Sequence, residues 1–135
     1  MLLISHGDMA KGMVNSAKMF FGDEIEQFDC CCFYADVEAE IFKEELAAKI
    51  NDLNQGDGVM ILCDIYGGSP AKMASEFIND EVTCITGMNF PMLLQMLSSR
   101  IAGEENVKGK IEKAGKDGIK EWNPHQEINI ENSFF

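Results

Sequence analysis

Four short apolar runs, at residues 1–5, 28–34, 59–63 and 82–86, are each followed by a stretch whose apolar residues recur with helical period. This repeated order of strand then helix constrains the chain more than any other feature. Parallel strands cannot be joined by tight turns, and a helix is the usual crossover between them. After Gly7, the residues Met13, Val14, Ala17, Phe20 and Phe21 make one apolar stripe, and Gly22 supplies its stop. Asp36 is placed to cap a second helix that buries Phe42, Leu46, Ile50 and Leu53, and Gly56-Asp57-Gly58 then turns the chain. Residues 59–63 show no polar alternation, as expected of a strand covered on both faces. Ser69-Pro70 and Asn89-Phe90-Pro91 both read as an N-cap with proline at the helix start. Ala74, Phe77 and Ile78 line the first of these helices, and Met92, Leu93, Met96 and Leu97 the second. A weaker helix passes through Val107, Ile111 and Ala114.

The fold class implied is α/β, a doubly wound and mostly parallel sheet in flavodoxin-like order 2-1-3-4, with residues 118–122 as a C-terminal edge strand. Residues 1–122 then form one domain, and the polar, Asn-rich stretch 123–135 a poorly ordered tail. With 135 residues, 46% of them hydrophobic, the chain is long enough for one core. The net charge of −12, with the lysines scattered, argues against a nucleic-acid partner. Five cysteines, three of them adjacent at Cys30-Cys31-Cys32, do not make a disulfide framework, because neighbouring strand side chains face opposite ways. The run at 59–63 is far shorter than the roughly 20 residues of a membrane helix. Residues 1–8 lack the basic flank and long apolar stretch of a secretory signal. A cytoplasmic protein with reduced thiols is expected.

Sheets of this kind bind ligands beyond the carboxyl ends of their strands, at the switch point between strands one and three. His6 ends the first strand and Asp64 follows the third, so neighbouring strands about 4.8 Å apart bring the two side chains within reach. A carboxylate on one imidazole nitrogen fixes the tautomer and leaves the other nitrogen nucleophilic. Three residues after Asp64, the turn Gly67-Gly68-Ser69-Pro70 offers close-approaching N–H groups, a hydroxyl and a helix start, which together suit an anion. Nucleophile, orienting acid and anion cradle converge in a pattern suited to phosphoryl transfer through a phosphohistidine. Its positive potential comes from backbone N–H groups, with the acidic side chains expected elsewhere.

Each element has a plainer reading when taken alone. A lone His or Asp at a strand end is often structural, and a Gly-Gly turn is common before a capped helix. Cys30, Cys31 and Cys32 lack partners at metal-ligand spacing and read as small strand residues. Met88, Met92 and Met96 read as core. Asp8 either caps the first helix or sits beside His6; Asn89 starts a helix, with a reach toward the phosphate pocket as the lesser reading. His125 falls in the solvated tail.

Three motifs occur in order: Ser5-His6-Gly7 with Ala10 and Gly12; Cys63-Asp64-Ile65-Tyr66-Gly67-Gly68-Ser69-Pro70; and Thr86-Gly87-Met88-Asn89-Phe90-Pro91-Met92-Leu93-Leu94. Together they resemble the enzyme IIA component of the mannose-type bacterial sugar phosphotransferase system, over residues 2–122. The resemblance implies a cytoplasmic homodimer whose motif histidine, His6, takes a phosphoryl group from the histidine-containing phosphocarrier protein. His6 then hands the group to a IIB component, with IIC and IID membrane components further along. The resemblance also places the paired aspartate at Asp64 and the turn serine at Ser69, and residues 118–122 match a strand commonly exchanged between protomers. No metal or cofactor is expected. The first strand is short for the family, with five residues before His6, and the stretch after Trp122 has no counterpart. A signalling receiver domain phosphorylated on Asp64 is the alternative from another class, but it needs an acidic pair where strand one ends in Ser5-His6. A catalytically silent regulatory relative is a third reading, which an intact His6 disfavours.

Overall fold

A strand with apolar residues on both faces must be covered on both sides, and a chain that alternates strands with helices can do this by sending successive helices to opposite faces. The computed structural model describes residues 1–125. They form β1 (Leu2–His6), α1 (Met9–Phe21), β2 (Asp29–Phe33), α2 (Ala39–Leu53), β3 (Val59–Cys63), α3 (Ser69–Ser75), β4 (Val82–Thr86), α4 (Phe90–Ile101) and α5 (Lys108–Asp117). The strands make one sheet in the order β2-β1-β3-β4, with every neighbouring pair parallel. This is the order expected from the sequence.

The alternation of β1 divides the core. Leu2 and Ile4 point to one face, where they join Phe42, Leu46 and Ile50 of α2, Met73 and Ala74 of α3, and Ile61 and Cys63 of β3. Leu3 points to the other, with Ala10 and Ala17 of α1, Leu62 of β3, Met92, Leu93, Met96 and Leu97 of α4, and Ile111 of α5. Met88, Met92 and Met96 are buried, as the core reading requires. Among the described residues no helix is long and apolar enough to cross a membrane.

Local details differ from expectation where a turn competes with a cap. Asp36 does not cap α2: a turn closed by Val37 N–H to Tyr34 O (3.1 Å) occupies 34–37. The helix starts three residues later, with Glu38 at the N-cap. The cap of α3 is Gly68, and Ser69 is its first helical residue. The helix ends at Ser75, leaving Ile78 exposed, because Asn79 Oδ1 draws in the N–H groups of Glu81 and Val82 and starts the next turn. Residues 118–122 form no strand. Their first N–H groups fold back, Gly118 to Ala114 O (2.9 Å) and Ile119 to Lys116 O (3.3 Å), and extend the end of α5. The outer edge of β4 is left beside a groove of about 460 Å³ that Ile119 helps to line. Of the tail anticipated at 123–135, residues 123–125 are exposed and the rest lies outside the described residues.

Asn89 shows how the last helices are fixed. Its Oδ1 accepts from Met92 N–H (3.1 Å), which caps α4, while its Nδ2 donates to Gly115 O of α5 (3.0 Å). Both polar ends are occupied, so Asn89 acts as a cap and a strut between helices and does not reach toward His6. Asn89→Ala should cost about 1–2 kcal/mol, the cap plus one partly buried hydrogen bond. Urea unfolding should show the loss, and amide exchange should speed up first in 108–117.

Candidate functional site

The site is built where the β1–β3 ladder ends. Asp64 N–H donates to Ile4 O (3.3 Å), the last backbone bond between the two segments. His6 N–H then finds the side chain of Asp64 as its acceptor, at 2.9 Å from Oδ2. The same Oδ2 lies 2.7 Å from His6 Nδ1. An ionised carboxylate only accepts hydrogen bonds, so Nδ1 carries the proton and the neutral ring keeps its lone pair on Nε2. His6 is half exposed, at 45% of its side chain, while Asp64 retains 10%. The imidazole is thus half open to solvent, while the carboxylate beside it is largely covered.

Further contacts fix the ring and its loop. Gly7 N–H donates to Phe33 O (2.7 Å), which anchors the turn after His6 to β2. The ring of Phe33 meets the imidazole edge-on at 6.4 Å. On the other side, a Cβ on Gly68 would stand 2.7 Å from His6 Cε1 and 3.3 Å from Nε2, so only glycine lets the turn pack against this edge of the ring. Gly67 precedes it at φ +79°, a left-handed conformation that glycine adopts without strain. Ser69 follows, exposed at the start of α3. Among the described residues, the N–H groups of Gly68 and Ser69 have no backbone acceptor. His6, Asp64, Gly67, Gly68 and Ser69, all singled out in the sequence, are therefore brought to one place.

The electrostatics come from neutral donors. Burial pushes the Asp64 carboxyl up, but the His6 N–H, the His6 ring and the Ile65 N–H outweigh it and hold the group below the usual carboxylate range. Among the described residues no Lys or Arg forms an ion pair with Asp64. Asp8 does not cap the first helix with its side chain. It occupies the N-cap position of α1 without a side-chain cap bond, and it accepts a hydrogen bond from Tyr34 Oη instead. Ser5 caps the helix in its place, with its buried Oγ accepting from Ala10 N–H (2.8 Å). Burial pushes Cys30 up to about 11, a protonated thiol with little nucleophilic character. Cys31 is fully buried in the strand. His125 is exposed in the segment after α5.

Against known families, residues 1–114 match EIIA-man, described as the PTS system fructose IIA component. The chain belongs to the EIIA-man family. It is 31% identical over 121 residues to the PTS system mannose-specific EIIAB component of Escherichia coli K12, covering 86% of this chain and 37% of that protein. The chain thus spans little more than a third of the length of that relative. It is 29% identical over 101 residues to the PTS system fructose-specific EIIA component of Bacillus subtilis, covering 73% of this chain and 68% of that one. Among solved structures, the PTS IIA protein associated with the fucose utilization operon of Streptococcus pneumoniae superposes with a TM-score of 0.80 at 27% identity, covering 89% of this chain and 90% of that one.

Within this EIIA-man chain, three supporting residues were not legible beforehand. Ser5 as a cap, Phe33 as the acceptor for Gly7, and Cys63, whose thiol lies 3.4 Å from Asp64 Oδ1, all depend on orientations that only the folded chain supplies. The serine before the His-Gly pair was the one available signal. Gly68 gives the sharpest test of the geometry. Its backbone is ordinary, at φ −73° and ψ 169°, so Gly68→Ala adds a clash with His6 and no backbone strain. The variant should keep its fold by circular dichroism while imidazole NMR shows the Nδ1 proton losing its Asp64 bond. A second test uses Asp64, whose folded-state acidity exceeds that of an unfolded carboxyl. The stability it contributes is complete above about pH 4 and is lost as pH falls below that value, so Asp64→Asn should flatten the acid limb of unfolding.

Proposed function

We propose that His6 carries a phosphoryl group in a bacterial sugar phosphotransferase system, taking it from the histidine-containing phosphocarrier protein and giving it to a IIB component. The observation that carries this reading is the 2.7 Å contact of Nδ1 with Asp64 Oδ2, which leaves Nε2 as the exposed nucleophile beside Gly68. In the step proposed, a bond forms between Nε2 and phosphorus as the bond from phosphorus to the donor histidine breaks. The Nδ1 proton stays on the ring, and its bond to Asp64 strengthens as the imidazole gains positive charge. The N–H groups of Gly68 and Ser69, with the Ser69 hydroxyl and the turn at Gly67, hold the equatorial oxygens, so the reading requires neither metal nor cofactor.

Protein partners suit the rim of the site. Ile65 is 55% exposed and Tyr66 90%, and Met9 and Tyr34 are exposed at the same end of the sheet. Large exposed apolar side chains around a reactive group favour a protein surface over a small polar substrate. The protein acts in the cytoplasm, where the phosphocarrier and IIB meet it, and IIC and IID membrane components are reached only through IIB. We assign residues 118–122, with Ile119 and Trp122 exposed, to pairing with the open β4 edge of a second copy in a homodimer. Phosphorylation of Asp64 itself is disfavoured, because both of its oxygens are already hydrogen-bonded.

Incubation with radiolabelled phosphocarrier tests the assignment. The wild-type chain should take up label that His6→Gln cannot, and Asp64→Asn should slow transfer about tenfold or more with its fold intact. A His6→Gln protein that still became labelled would sink the reading.

A further inference from the structure

Asp64 has two oxygens with about four lone-pair directions, and three are taken by N–H groups. Oδ2 receives the backbone and ring N–H groups of His6, at 2.9 and 2.7 Å, and Oδ1 receives Ile65 N–H at 2.9 Å. The fourth direction faces the Sγ of Cys63, 3.4 Å from Oδ1. This thiol is completely buried among Ile4, Phe42, Ile61, Met73 and Ala74. Its backbone is held from both sides, paired with Ile4 on β1 and Thr86 on β4, and its carbonyl accepts Met88 N–H at 2.9 Å. The other acceptor near Sγ is Ile65 O, at 3.9 Å. Cys63 therefore stands as a fixed post at the base of a carboxylate whose remaining Oδ1 donor, Ile65, belongs to an exposed loop.

We propose that Cys63 is a positioning residue, whose S–H donates to Asp64 Oδ1 and fixes the plane of the carboxylate so that Oδ2 stays on the Nδ1 proton of His6. Burial pushes the thiol up to about 12, so it holds its proton and acts as a donor at every pH where the site works. A carboxylate anchored at one oxygen by a loop amide alone can rock about its Cβ–Cγ bond. Each such rotation frees Nδ1 and lets the ring adopt the other tautomer, which puts a proton on the nitrogen that must attack. The role depends on the donor and not on the volume of the side chain, which separates it from the ordinary use of a buried cysteine as a small apolar residue.

The proposal rests on phosphoryl transfer at His6 only for its kinetic consequence, and the tautomer readout is independent of that reaction. Cys63→Val removes the donor and adds about one methyl group; Cys63→Ser keeps a donor at nearly the same shape. The valine variant should stay folded by circular dichroism, show a raised fraction of the Nε2–H tautomer in nitrogen-15 imidazole spectra, and accept label from the phosphocarrier about threefold more slowly. The serine variant should restore both the spectrum and the rate. In an Asp64→Asn background the valine substitution should have no further effect, and this double-mutant comparison decides the matter if the serine variant folds poorly. A valine variant with the wild-type imidazole spectrum overturns the proposal, as does a folded serine variant that is as perturbed as valine. If wild-type protein takes up no label while Cys63→Val still shifts the tautomer, the reading of the reaction fails and the role of Cys63 stands.

Discussion

One carboxylate receiving both N–H groups of one histidine is the contact on which the site depends. It exists because β1 lies between β2 and β3 in a parallel sheet, so the carboxyl ends of β1 and β3 finish side by side. Parallel ladders run on while backbone donors meet backbone carbonyls. Here the ladder ends by substitution: His6 N–H, where a further strand carbonyl would serve, takes Asp64 Oδ2. The backbone bond sets the position of the carboxylate relative to the main chain of His6, and the ring bond then sets χ1 and χ2 of the histidine. Two bonds to one oxygen thus leave the imidazole little rotational freedom, and the freedom lost is prepaid by folding.

That arrangement makes demands on its surroundings, and these account for sequence features that composition leaves unexplained. A ring pinned on its Nδ1 side turns its Cε1–Nε2 edge toward the turn before α3, and any side chain there would collide with it. Gly68 is the consequence, and Gly67, with its positive φ, makes the tight approach possible. The turn after His6 needs its own anchor because it leaves the sheet at once for α1. Gly7 N–H on Phe33 O and Ser5 Oγ on Ala10 N–H supply it from opposite sides of β1. With Ser5 capping α1, Asp8 is released from that task and pairs with Tyr34.

The legibility of the sequence followed the range of the interaction concerned. Hydrophobic period is local, and it located the four strands and five helices of the described residues, with the core faces of α2 and α4 read off Phe42, Leu46, Ile50 and Met92, Leu93, Met96, Leu97. Given the strand order, the meeting of His6 with Asp64 and the Gly67-Gly68-Ser69 turn followed from topology. Helix starts were less secure, because a capping residue competes with turns that the sequence does not rank. Asp36 lost to the turn at 34–37, and the cap of α3 fell on Gly68 in place of Ser69, whereas Asn89 capped as expected, its Oδ1 accepting from Met92 N–H. The segment 118–122 has strand-like character in Ile119 and Trp122, but a single chain folds its first residues back onto α5. Contacts such as Cys63 to Asp64 join neighbours in sequence, yet they depend on a carboxylate orientation that the His6 pairing imposes from 58 residues away.

A net charge of −12 is compatible with the proposed phosphoryl site once distance is considered. Beyond about 8 Å at physiological ionic strength, exposed charges are largely screened, so the carboxylates spread over the helices set the field met during approach and contribute little inside the pocket. Several of them are further offset in pairs, as with Lys43 between Glu40 and Glu76 and Lys49 between Asp29 and Glu45. Inside the pocket the nearest groups decide, and these include the N–H dipoles of Gly68 and Ser69. The one carboxylate in contact with His6 helps the proposed transfer, since it lies on the Nδ1 side, where it stabilises positive charge on the ring without facing the incoming phosphoryl oxygens. Lys or Arg at the same place would bind phosphate more tightly, and it would also hold the group against release. Under the proposed hand-over, a cradle of neutral donors would keep acceptor and donor states close in free energy, and the acidic surface would leave orientation of a basic partner face to the long-range field.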